Sequence, residues 1–427
     1  MELYGKILLF AMPAFLFFVL LEKGYGVLVH KDTFRNMDMI SSLSSGITNV
    51  VKDVLGLSIS ILSYSWLVNH IAVYKLENTF AVFAITFIVL DFQGYWVHRW
   101  AHEINLFWNK HAVHHSSEDY NLACALRQSI SSFVNLFTFF LIPAALLGVP
   151  KEVIAIVAPI HLFAQFWYHT QHINRMGFLE NIIVTPSHHR VHHAINPEYM
   201  DKNYAQIFII WDKIFGTFKE ESPEIPPVYG ITRPAATWNP IKINFQHLWL
   251  MIKDAWRAAD WRDKFTIWFK PTGWRPADVE ARFPVPKIED PYHFEKYETK
   301  ASTALHVWAW VQFSAVTALV FYFFGNIGHI GSSNIFIYGA FIFLSIYSYS
   351  ELMDRNRFAL AWETAKNVLG LGFIFSMGDW FGLSTVLPSA SYIVGVYFVI
   401  STLVAAYFVL VEFKNDSETS KNMRLSV

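Results

Sequence analysis

Cysteine and charged residues are both scarce in this chain of 427 residues. The single cysteine, Cys124, excludes an internal disulfide and a zinc site built from several cysteines. Only 16% of the residues are charged, against about a quarter in ordinary soluble domains. The formal net charge of −1 gives no basic excess, so we expect no nucleic-acid partner. The sequence also lacks a CxxC iron–sulfur pattern, a haem-carrier motif and a GxGxxG nucleotide fingerprint.

Apolar residues are abundant instead. Hydrophobic residues make up 54% of the chain and aromatic residues 17%, which indicates a protein dissolved largely in lipid. A helix needs about 20 apolar residues to cross a bilayer, and about nine segments approach that length. They lie near Ile7–Leu21, Val51–Tyr74, Phe80–Trp96, Ile130–Val149, Val153–Tyr168, Ala304–Phe324, Ile335–Ser350, Phe358–Met377 and Tyr392–Val411. We therefore expect an all-α, polytopic integral membrane protein.

Two of these segments are ambiguous in the sequence. The first could be a signal peptide, but no small-residue cleavage site follows it, so we expect an uncleaved anchor. The segments on either side of Pro150 could form two full crossings or one re-entrant hairpin, and the sequence does not decide between these.

Basic residues predict which side each polar segment faces. The long polar stretch from Gln171 to Ala301 is rich in Lys and Arg, as are the first loop, with Lys31 and Arg35, and the tail Lys414–Arg424. The positive-inside rule places these segments in the cytoplasm, and every histidine cluster falls on the same side. We expect a cytoplasmic, histidine-rich helical cap on a multi-pass protein of the bacterial inner membrane or the endoplasmic reticulum.

The order of apolar and polar segments suggests four regions. We expect a transmembrane anchor at 1–78, a histidine-rich core at 79–220, a Trp-rich segment at 221–300 and a transmembrane bundle at 301–427. Within the third region, Gln246–Pro276 interleaves five tryptophans with basic residues. This composition favours an in-plane helix in the headgroup layer, and the alternative is a soluble amphipathic helix packed on its own domain.

Histidines gather in three groups at segment ends. The first group is His98 and His102, spaced H-x-x-x-H; the second is His111, His114 and His115; the third is His188, His189, His192 and His193. Side chains at i, i+3 and i+4 share a helix face, so the imidazoles of each group should converge. One isolated pair would more often be a chance polar face. Three such groups together favour a metal site over chance or a pH-sensing cluster.

The number of imidazoles indicates two metal ions. His189, His192 and His193 of the third group have the complete i, i+3 and i+4 spacing, which does not include His188. The three groups thus offer eight imidazoles, too many for one tetrahedral or octahedral ion. A shell of imidazoles favours Fe over Mg or Ca, which prefer oxygen. Zinc can occupy such ligands in a purified sample, but it has no redox chemistry.

Four stretches resemble the membrane fatty acid hydroxylase / sterol desaturase superfamily, and within it the alkylglycerol monooxygenases and their bacterial relatives. They are His98–Asn121 (HRWAHEINLFWNKHAVHHSSEDYN), Gln165–His169 (QFWYH), Thr185–His193 (TPSHHRVHH) and Asp201–Phe218 (DKNYAQIFIIWDKIFGTF). The strong similarity runs from about Asp91 to Glu220 and weakens into the Trp-rich segment. The C-terminal segments are compatible with this branch but carry no motif of their own.

The resemblance implies a set of metal ligands and neighbours. The ligands would be His98, His102, His111, His114, His115, His189, His192 and His193, with His169 as a further ligand. The candidates for orienting these ligands are Asp91, Glu103, Asp119, Asn121, His188, Asp201, Asn203 and Tyr204. For Asp91 the alternative is a helix-end charge reaching water, and for the other flanking residues it is capping of a helix or turn. His172 should be near the site or on the surface. His161 is a minor candidate ligand, and His30, His70 and His329 are expected to be structural or incidental.

The chemistry expected of such a site is oxidation of a lipid. A C–H bond in a lipid chain offers no acid, base or leaving group, so it must be attacked by activated O₂. In an ether lipid, hydroxylation next to the ether oxygen gives a hemiacetal that collapses to a fatty aldehyde and a glycerol derivative. The rival activities are hydroxylation or desaturation of a sterol, a carotenoid or a fatty acyl chain. A metal transporter is disfavoured because transport predicts ionisable groups at the membrane midplane.

The partners follow from that chemistry. We expect a membrane lipid as substrate, together with O₂ and an external electron donor. The resemblance implies tetrahydrobiopterin as the donor, and a ferredoxin or a cytochrome is the alternative for a diverged relative.

Overall fold

The computed structural model describes residues 2–57, 59–60, 63–131, 134–135 and 137–414, and these residues form an all-helical protein. The helices of the first half are α1 (Glu2–Leu28), α2 (Asn36–Val54), α3 (Tyr64–Ile71), α4 (Phe80–Glu103), α5 (Asn105–His115), α6 (Phe137–Phe140), α7 (Ile142–Leu146), α8 (Lys151–Phe163), α9 (Pro186–His192) and α10 (Ile210–Phe215). Those of the second half are α11 (Pro240–Arg257), α12 (Trp261–Thr266), α13 (Ala277–Arg282), α14 (Thr303–Gly325), α15 (Ile327–Ile330), α16 (Asn334–Met353), α17 (Ala359–Met377) and α18 (Ala390–Tyr407). Two short strands, β1 (Ile59–Ser60) and β2 (Val134–Asn135), pair in parallel.

Within the described residues, five helices are long and apolar enough to cross a membrane. They are α1, α4, α14, α16 and α18 with its π-helical continuation to Glu412, and each has 20 to 27 residues. These five agree with the first, third, sixth, seventh and ninth predicted segments. The chain is thus a helical protein with several helices of membrane-spanning length, as its apolar composition predicts.

Three of the nine predicted segments are not continuous helices. In the segment 51–74, α2 ends at Val54, a turn follows with Gly56 at φ 64°, and α3 begins only at Tyr64. The segment 130–149 contains only the short α6 and α7, and Gly148 turns the chain before α8 with φ 70°. In the segment 153–168, the 13-residue α8 ends at Phe163, so the last five residues of the segment lie outside this helix. Glycine and proline interrupt the apolar runs here, which hydropathy alone does not detect. Residues 58, 61, 62, 132, 133 and 136 of these segments lie outside the described residues.

The predicted segment 358–377 is one helix, α17, but it is not among the five. It carries Glu363 and Lys366, which are buried and form an ion pair. Most of the basic tail 414–424 lies outside the described residues.

The N-terminal and C-terminal helices share one apolar core. Both α1 and α2 pack on α14, and α16 lies between α14 and α17. Large buried rings fill the centre of the C-terminal helices, including Phe323, Tyr338 and Trp380. Tyr338 stacks on Phe323 at 5.0 Å, and its hydroxyl accepts a hydrogen bond from the Trp380 indole nitrogen.

The Trp-rich segment is not the single helix that the sequence suggests. It divides into α11 and α12, and the Asp260 side chain caps α12 by accepting from the Arg262 backbone N–H. One face of α11 packs on α5. Its other side exposes Trp249 and Trp256.

Candidate metal centre

Nine histidines meet where α4 ends and α5 and α9 cross it. Their ring nitrogens form two groups, within each of which the facing atoms lie within 4.8 Å of one another. The first group contains His98, His102, His111, His115 and His192, and the second contains His114, His169, His189 and His193. The structure therefore brings together all nine histidines that the sequence singled out as ligands.

Each H-x-x-H-H motif contributes to both groups. On α5, the i, i+4 pair His111 and His115 joins the first group, while His114 turns to the second. At α9 the pattern is reversed: His189 and His193 join the second group and His192 joins the first. His169 follows α8 and gives the second group its fourth imidazole.

The Nε2 atoms face one another at short distances. In the first group His98 and His111 are 2.8 Å apart, and His115 lies 3.0 Å from His111 and 3.1 Å from His192. In the second group the contacts are His189 to His169 at 3.0 Å, His189 to His193 at 3.1 Å and His114 to His169 at 3.3 Å. Nitrogens about 2.1 Å from one ion are about 3.0 Å apart in an octahedron and about 3.4 Å apart in a tetrahedron. The spacing therefore fits two sets of metal ligands.

Backbone carbonyls hold several of these rings by their other nitrogen. The Nδ1 of His98 lies 2.6 Å from the Tyr204 carbonyl, and that of His192 lies 3.0 Å from the Lys202 carbonyl. His169 contacts the Gln165 carbonyl at 3.1 Å in the same way. A carbonyl only accepts, so Nδ1 must donate and Nε2 keeps its lone pair. Such Nε2 atoms repel each other unless a cation lies between them.

The imidazoles of the α5 and α9 motifs are neutral. Burial lowers the pKa of His114 to about 3, with a further lowering from His98. Burial and neighbouring imidazoles also lower the pKa values of His115, His189 and His193 well below the ordinary value. Neutral imidazole is the form that binds a metal.

Only two of the eight predicted neighbours touch the ligand set. Asp201 Oδ1 lies 3.5 Å from His102 Nδ1. Tyr204 holds His98 through its carbonyl, and its ring lies 5.3 Å from that of His102.

Three of the other predicted neighbours have structural contacts of their own. Glu103 pairs with Arg99 on the surface, and Asp119 pairs with Arg35 and Lys296. Asn121 accepts from the backbone N–H groups of residues 123 and 124.

His188, Asn203 and Asp91 also point away from the imidazoles. His188 caps α9 by accepting from the Thr185 N–H, and Asn203 donates to the His188 carbonyl. Asp91 accepts from His161 and from the N–H groups of residues 207 and 208.

Asp212 and Tyr120 support the site although neither was among the predicted neighbours. The Asp212 carboxylate accepts from the N–H groups of Tyr204 and Ala205, so it fixes the loop whose carbonyl holds His98. The buried Tyr120 donates to the Tyr168 carbonyl, and its ring lies 5.2 Å from that of His193. Their effect on the site depends on contacts between distant residues, such as His98 with Tyr204 and Tyr120 with Tyr168, which no local spacing predicts.

A cavity of about 270 Å³ opens beside the first group. His102, His115 and His192 line one end, together with Trp108. The rest of its lining includes α11 and the segments around residues 231–233 and 272–275. The histidines therefore adjoin a space large enough for part of a substrate.

Comparison with known proteins agrees with this geometry. The profile described as fatty acid hydroxylase matches residues 83–217. The chain is 35% identical over 384 residues to alkylglycerol monooxygenase of Homo sapiens, covering 89% of this chain and 84% of that protein. It is 34% identical over 340 residues to alkylglycerol monooxygenase of Xenopus tropicalis, covering 79% and 75%.

A bacterial enzyme is also similar over a shorter region. The chain is 32% identical over 152 residues to an ornithine lipid hydroxylase of Rhizobium tropici, covering 35% of this chain and 45% of that protein. No solved structure matches the chain. The resemblance drawn from the histidine motifs is confirmed, and the chain belongs to the alkylglycerol monooxygenase family of the fatty acid hydroxylase superfamily, whose members are oxidoreductases.

Proposed function

We propose that this protein is a di-iron monooxygenase that hydroxylates the carbon next to the ether oxygen of an alkylglycerol-type lipid. The observation that carries the proposal is that two groups of histidines, with facing imidazole nitrogens, lie at the end of α4. This helix is long enough to span a membrane. The similarity to alkylglycerol monooxygenases over most of the chain supports the ether-lipid substrate.

Each histidine group would hold one iron. The five imidazoles of the first group and the four of the second leave coordination positions open around six-coordinate ions. When bound, two reduced irons would supply the electrons and the Lewis acidity that O₂ needs for attack on a C–H bond.

The overall reaction balances with two electrons and two protons. The lipid R–CH₂–O–R′ and O₂ give the hemiacetal R–CH(OH)–O–R′ and water. The C–O bond of the hemiacetal then breaks, giving the aldehyde R–CHO and the alcohol R′–OH. Oxidation alone therefore releases the chain from glycerol, and no hydrolytic base is needed.

The protein orients its ligands and limits access of water. Carbonyls of residues 165, 202 and 204 fix three of the rings in one tautomer. Tyr120 and Tyr168 pack against the second group and close that side, because both are almost fully buried. The cavity beside the first group leaves that side open to a substrate.

We also retain the sequence predictions about membrane orientation, regions of the chain and electron donor. We propose that the histidine cap faces the cytoplasm, that further segments besides the five long helices enter the membrane, and that the four regions with bounds at 78, 220 and 300 are functional units. The electrons would come from an external donor, either tetrahydrobiopterin or a ferredoxin or cytochrome, and the donor would dock from the cap side.

The test is iron content together with a substrate panel. Protein made in iron-replete cells should carry about two irons per chain, and His192→Ala should lose iron and activity because it removes a ligand of the first group. His70→Ala is the control, since His70 lies on the exposed α3 and stacks on Trp66. One metal per chain, or full activity of His192→Ala, would contradict the di-iron assignment.

The substrate panel separates the rival activity. Two Δ(7)-sterol 5(6)-desaturases are 26% identical to this chain over about 36% of its length. Membranes given an alkylglycerol, O₂ and a reduced pterin should release aldehyde. If a sterol or acyl chain is oxidised and no aldehyde forms, the ether-lipid substrate is wrong although the metal site stands.

A further inference from the structure

Two arginines, Arg233 and Arg275, line the same cavity as His102 and His115. Neither the metal chemistry nor the binding of an alkyl chain requires a cation in this lining. The two guanidinium groups therefore indicate a ligand of negative charge.

Hydrogen bonds hold the Arg275 guanidinium in place and leave one of its nitrogens, Nη1, without a partner in the described part of the chain. Its Nε and Nη2 donate to the Asp254 carboxylate at 2.6 and 3.0 Å, and Nη2 also donates to the Phe283 carbonyl at 2.9 Å. The side chain is only 6% exposed. Its Nη1 is buried and has no hydrogen-bond partner among the described residues. A buried N–H group without a partner costs free energy unless a ligand or water accepts from it.

Arg233 makes no hydrogen bond or ion pair with any residue that the structure describes. Its side chain is half-buried, and burial, followed by repulsion from Arg275, lowers its pKa. The nearby Asp254 is already paired with Arg275. Lys287 also lines the cavity, but Glu280 pairs with it at 3.0 Å. Asp201 also lines the cavity, and its carboxylate lies 3.5 Å from His102 Nδ1. Among the arginines and lysines of this lining, Arg233 is thus the one without a hydrogen bond or ion pair to a described residue.

An oxyanion satisfies both arginines at once. Guanidinium groups bind phosphate through paired N–H donors, and they are less strongly hydrated than ammonium groups. The cavity of about 270 Å³ is smaller than the roughly 300–1,000 Å³ of pockets that enclose a drug-sized ligand. Its size suits a glycerol phosphate headgroup, with the alkyl chain of the lipid extending beyond the cavity.

We propose that Arg233, with Arg275 behind it, forms a phosphate-binding subsite that selects ether lipids with an anionic phosphate on glycerol. The proposal rests on the proposed function and specifies the substrate class of the same site. A phosphate held at the arginines would direct the rest of the headgroup towards the histidine end of the cavity. Arg233 is thus a specificity-determining residue, and Arg275 positions the anion without being exposed to solvent.

The experiment compares a neutral and a phosphorylated substrate on the full chain in detergent. Aldehyde release is measured with a 1-O-alkylglycerol and with the corresponding 1-O-alkylglycerol 3-phosphate. Arg233→Gln should lower kcat/KM for the phosphate lipid about tenfold more than for the neutral lipid, because a charged hydrogen bond to phosphate is lost. Arg233→Lys should restore part of the preference. Lys287→Gln removes a charge from the same cavity and should leave the ratio unchanged, because Lys287 is already paired.

A binding measurement separates this proposal from the proposed function. Inorganic phosphate and the phosphate lipid in mixed micelles are each titrated calorimetrically into wild type and Arg233→Gln. If inorganic phosphate and the phosphate lipid both bind to wild type and both bind more weakly to Arg233→Gln, the subsite recognises the oxyanion itself. If the phosphate lipid alone binds and its binding weakens in the variant, the subsite recognises the headgroup. Equal binding or equal kcat/KM ratios in wild type and variant would overturn the subsite. Arginine-dependent binding without aldehyde from either lipid would refute the ether-lipid activity and leave the subsite intact.

Discussion

At the residue scale, His169 shows how one side chain completes a site. It is the only member of the second group that does not belong to an H-x-x-x-H or H-x-x-H-H motif. Its Nε2 lies 3.0 Å from that of His189 and 3.3 Å from that of His114. Without it, the group would have three imidazoles, the number that catalytic metal sites commonly use. A fourth imidazole should therefore strengthen metal binding at this group.

We predict that His169→Ala lowers the iron content by about one ion per chain and abolishes turnover. The reason is that the affinity of the second histidine group for iron falls when one of its ligands is removed. Elemental analysis and aldehyde release measure the two effects. His172→Ala is the matched control because His172 lies three residues away and packs edge-on against Tyr25. Retention of about two irons in His169→Ala would show that His169 is not a ligand.

His188 gives the opposite prediction, although it adjoins a ligand. Its Nδ1 accepts from the Thr185 N–H, which completes the capping box of α9. His188→Ala should therefore lower the free energy of unfolding by about 1 kcal/mol and leave iron content unchanged. His188→Gln should recover most of the loss, because glutamine serves at this position of a capping box. Thermal unfolding with parallel metal analysis tests both variants, and loss of iron in His188→Gln would contradict a capping role.

At the scale of elements, Arg127 connects α2 to the site. Its guanidinium donates to Asp38 of α2 at 2.7 Å and to Ser116 at the end of α5 at 2.8 Å. Its carbonyl lies 3.3 Å from the Nδ1 of His114. Both Arg127 and Asp38 are almost fully buried, so the pair fixes the position of α5 relative to α2.

We predict that Arg127→Gln destabilises the protein by about 3–5 kcal/mol, because it leaves Asp38 buried without its counter-charge. The double variant Asp38→Asn/Arg127→Gln should be more stable than Arg127→Gln alone. The unfolding midpoints of wild type, both single variants and the double variant give the interaction free energy between the two side chains. Additive losses would mean that the two side chains do not interact.

The helices also show what local spacing could and could not predict. The i, i+4 spacing correctly predicts that His111 and His115 converge, because both lie on one helix. It cannot predict that His114 faces the other group, since that depends on how α9 crosses α5. Asp91 lies on the same face of α4 as His98, but seven residues span about 10 Å of helix, which is too far for direct contact.

Contacts between distant segments account for the rest. Asp212 acts on His98 only through the loop that contains Tyr204. Neither the position of Asp212 in the sequence nor its neighbours there identify it as a residue of the site. The apolar runs correctly predict five long helices, while Gly56, Gly148 and Pro150 interrupt others that hydropathy alone would join. Composition thus predicts the class of fold, and the arrangement of the segments decides the site.

At the scale of the whole molecule, two kinds of exposed apolar surface occur. The long helices expose rings such as Phe10 and Phe80, as expected for contact with lipid chains. A second group of exposed rings lies on α11, α12 and the turn after them. This aromatic edge consists of Trp249, Trp256, Trp261, Phe265 and Phe269, which are 57 to 85% exposed. Lys264 and Arg262 lie among these rings, a combination typical of the headgroup layer.

The aromatic edge adjoins the cavity through α11. Leu250 and Asp254 of this helix line the cavity, and Trp249 and Trp256 face outwards. A membrane against this edge would bring lipid headgroups within one helix diameter, about 10 Å, of the cavity that the histidines line. A lipid could then reach the site without leaving the bilayer surface.

We predict that the aromatic edge lies in the headgroup layer. The chain suits site-directed labelling because its single cysteine, Cys124, is buried and therefore shielded from the label. A nitroxide at Trp256→Cys in nanodiscs should collide more with O₂, which concentrates in lipid, than with a water-soluble nickel complex. The control is Lys287→Cys, because Lys287 is half-exposed and pairs with the equally exposed Glu280; there the nickel complex should dominate. If nickel dominated at both positions, α11 would face water, and the substrate would have to enter the cavity by another route.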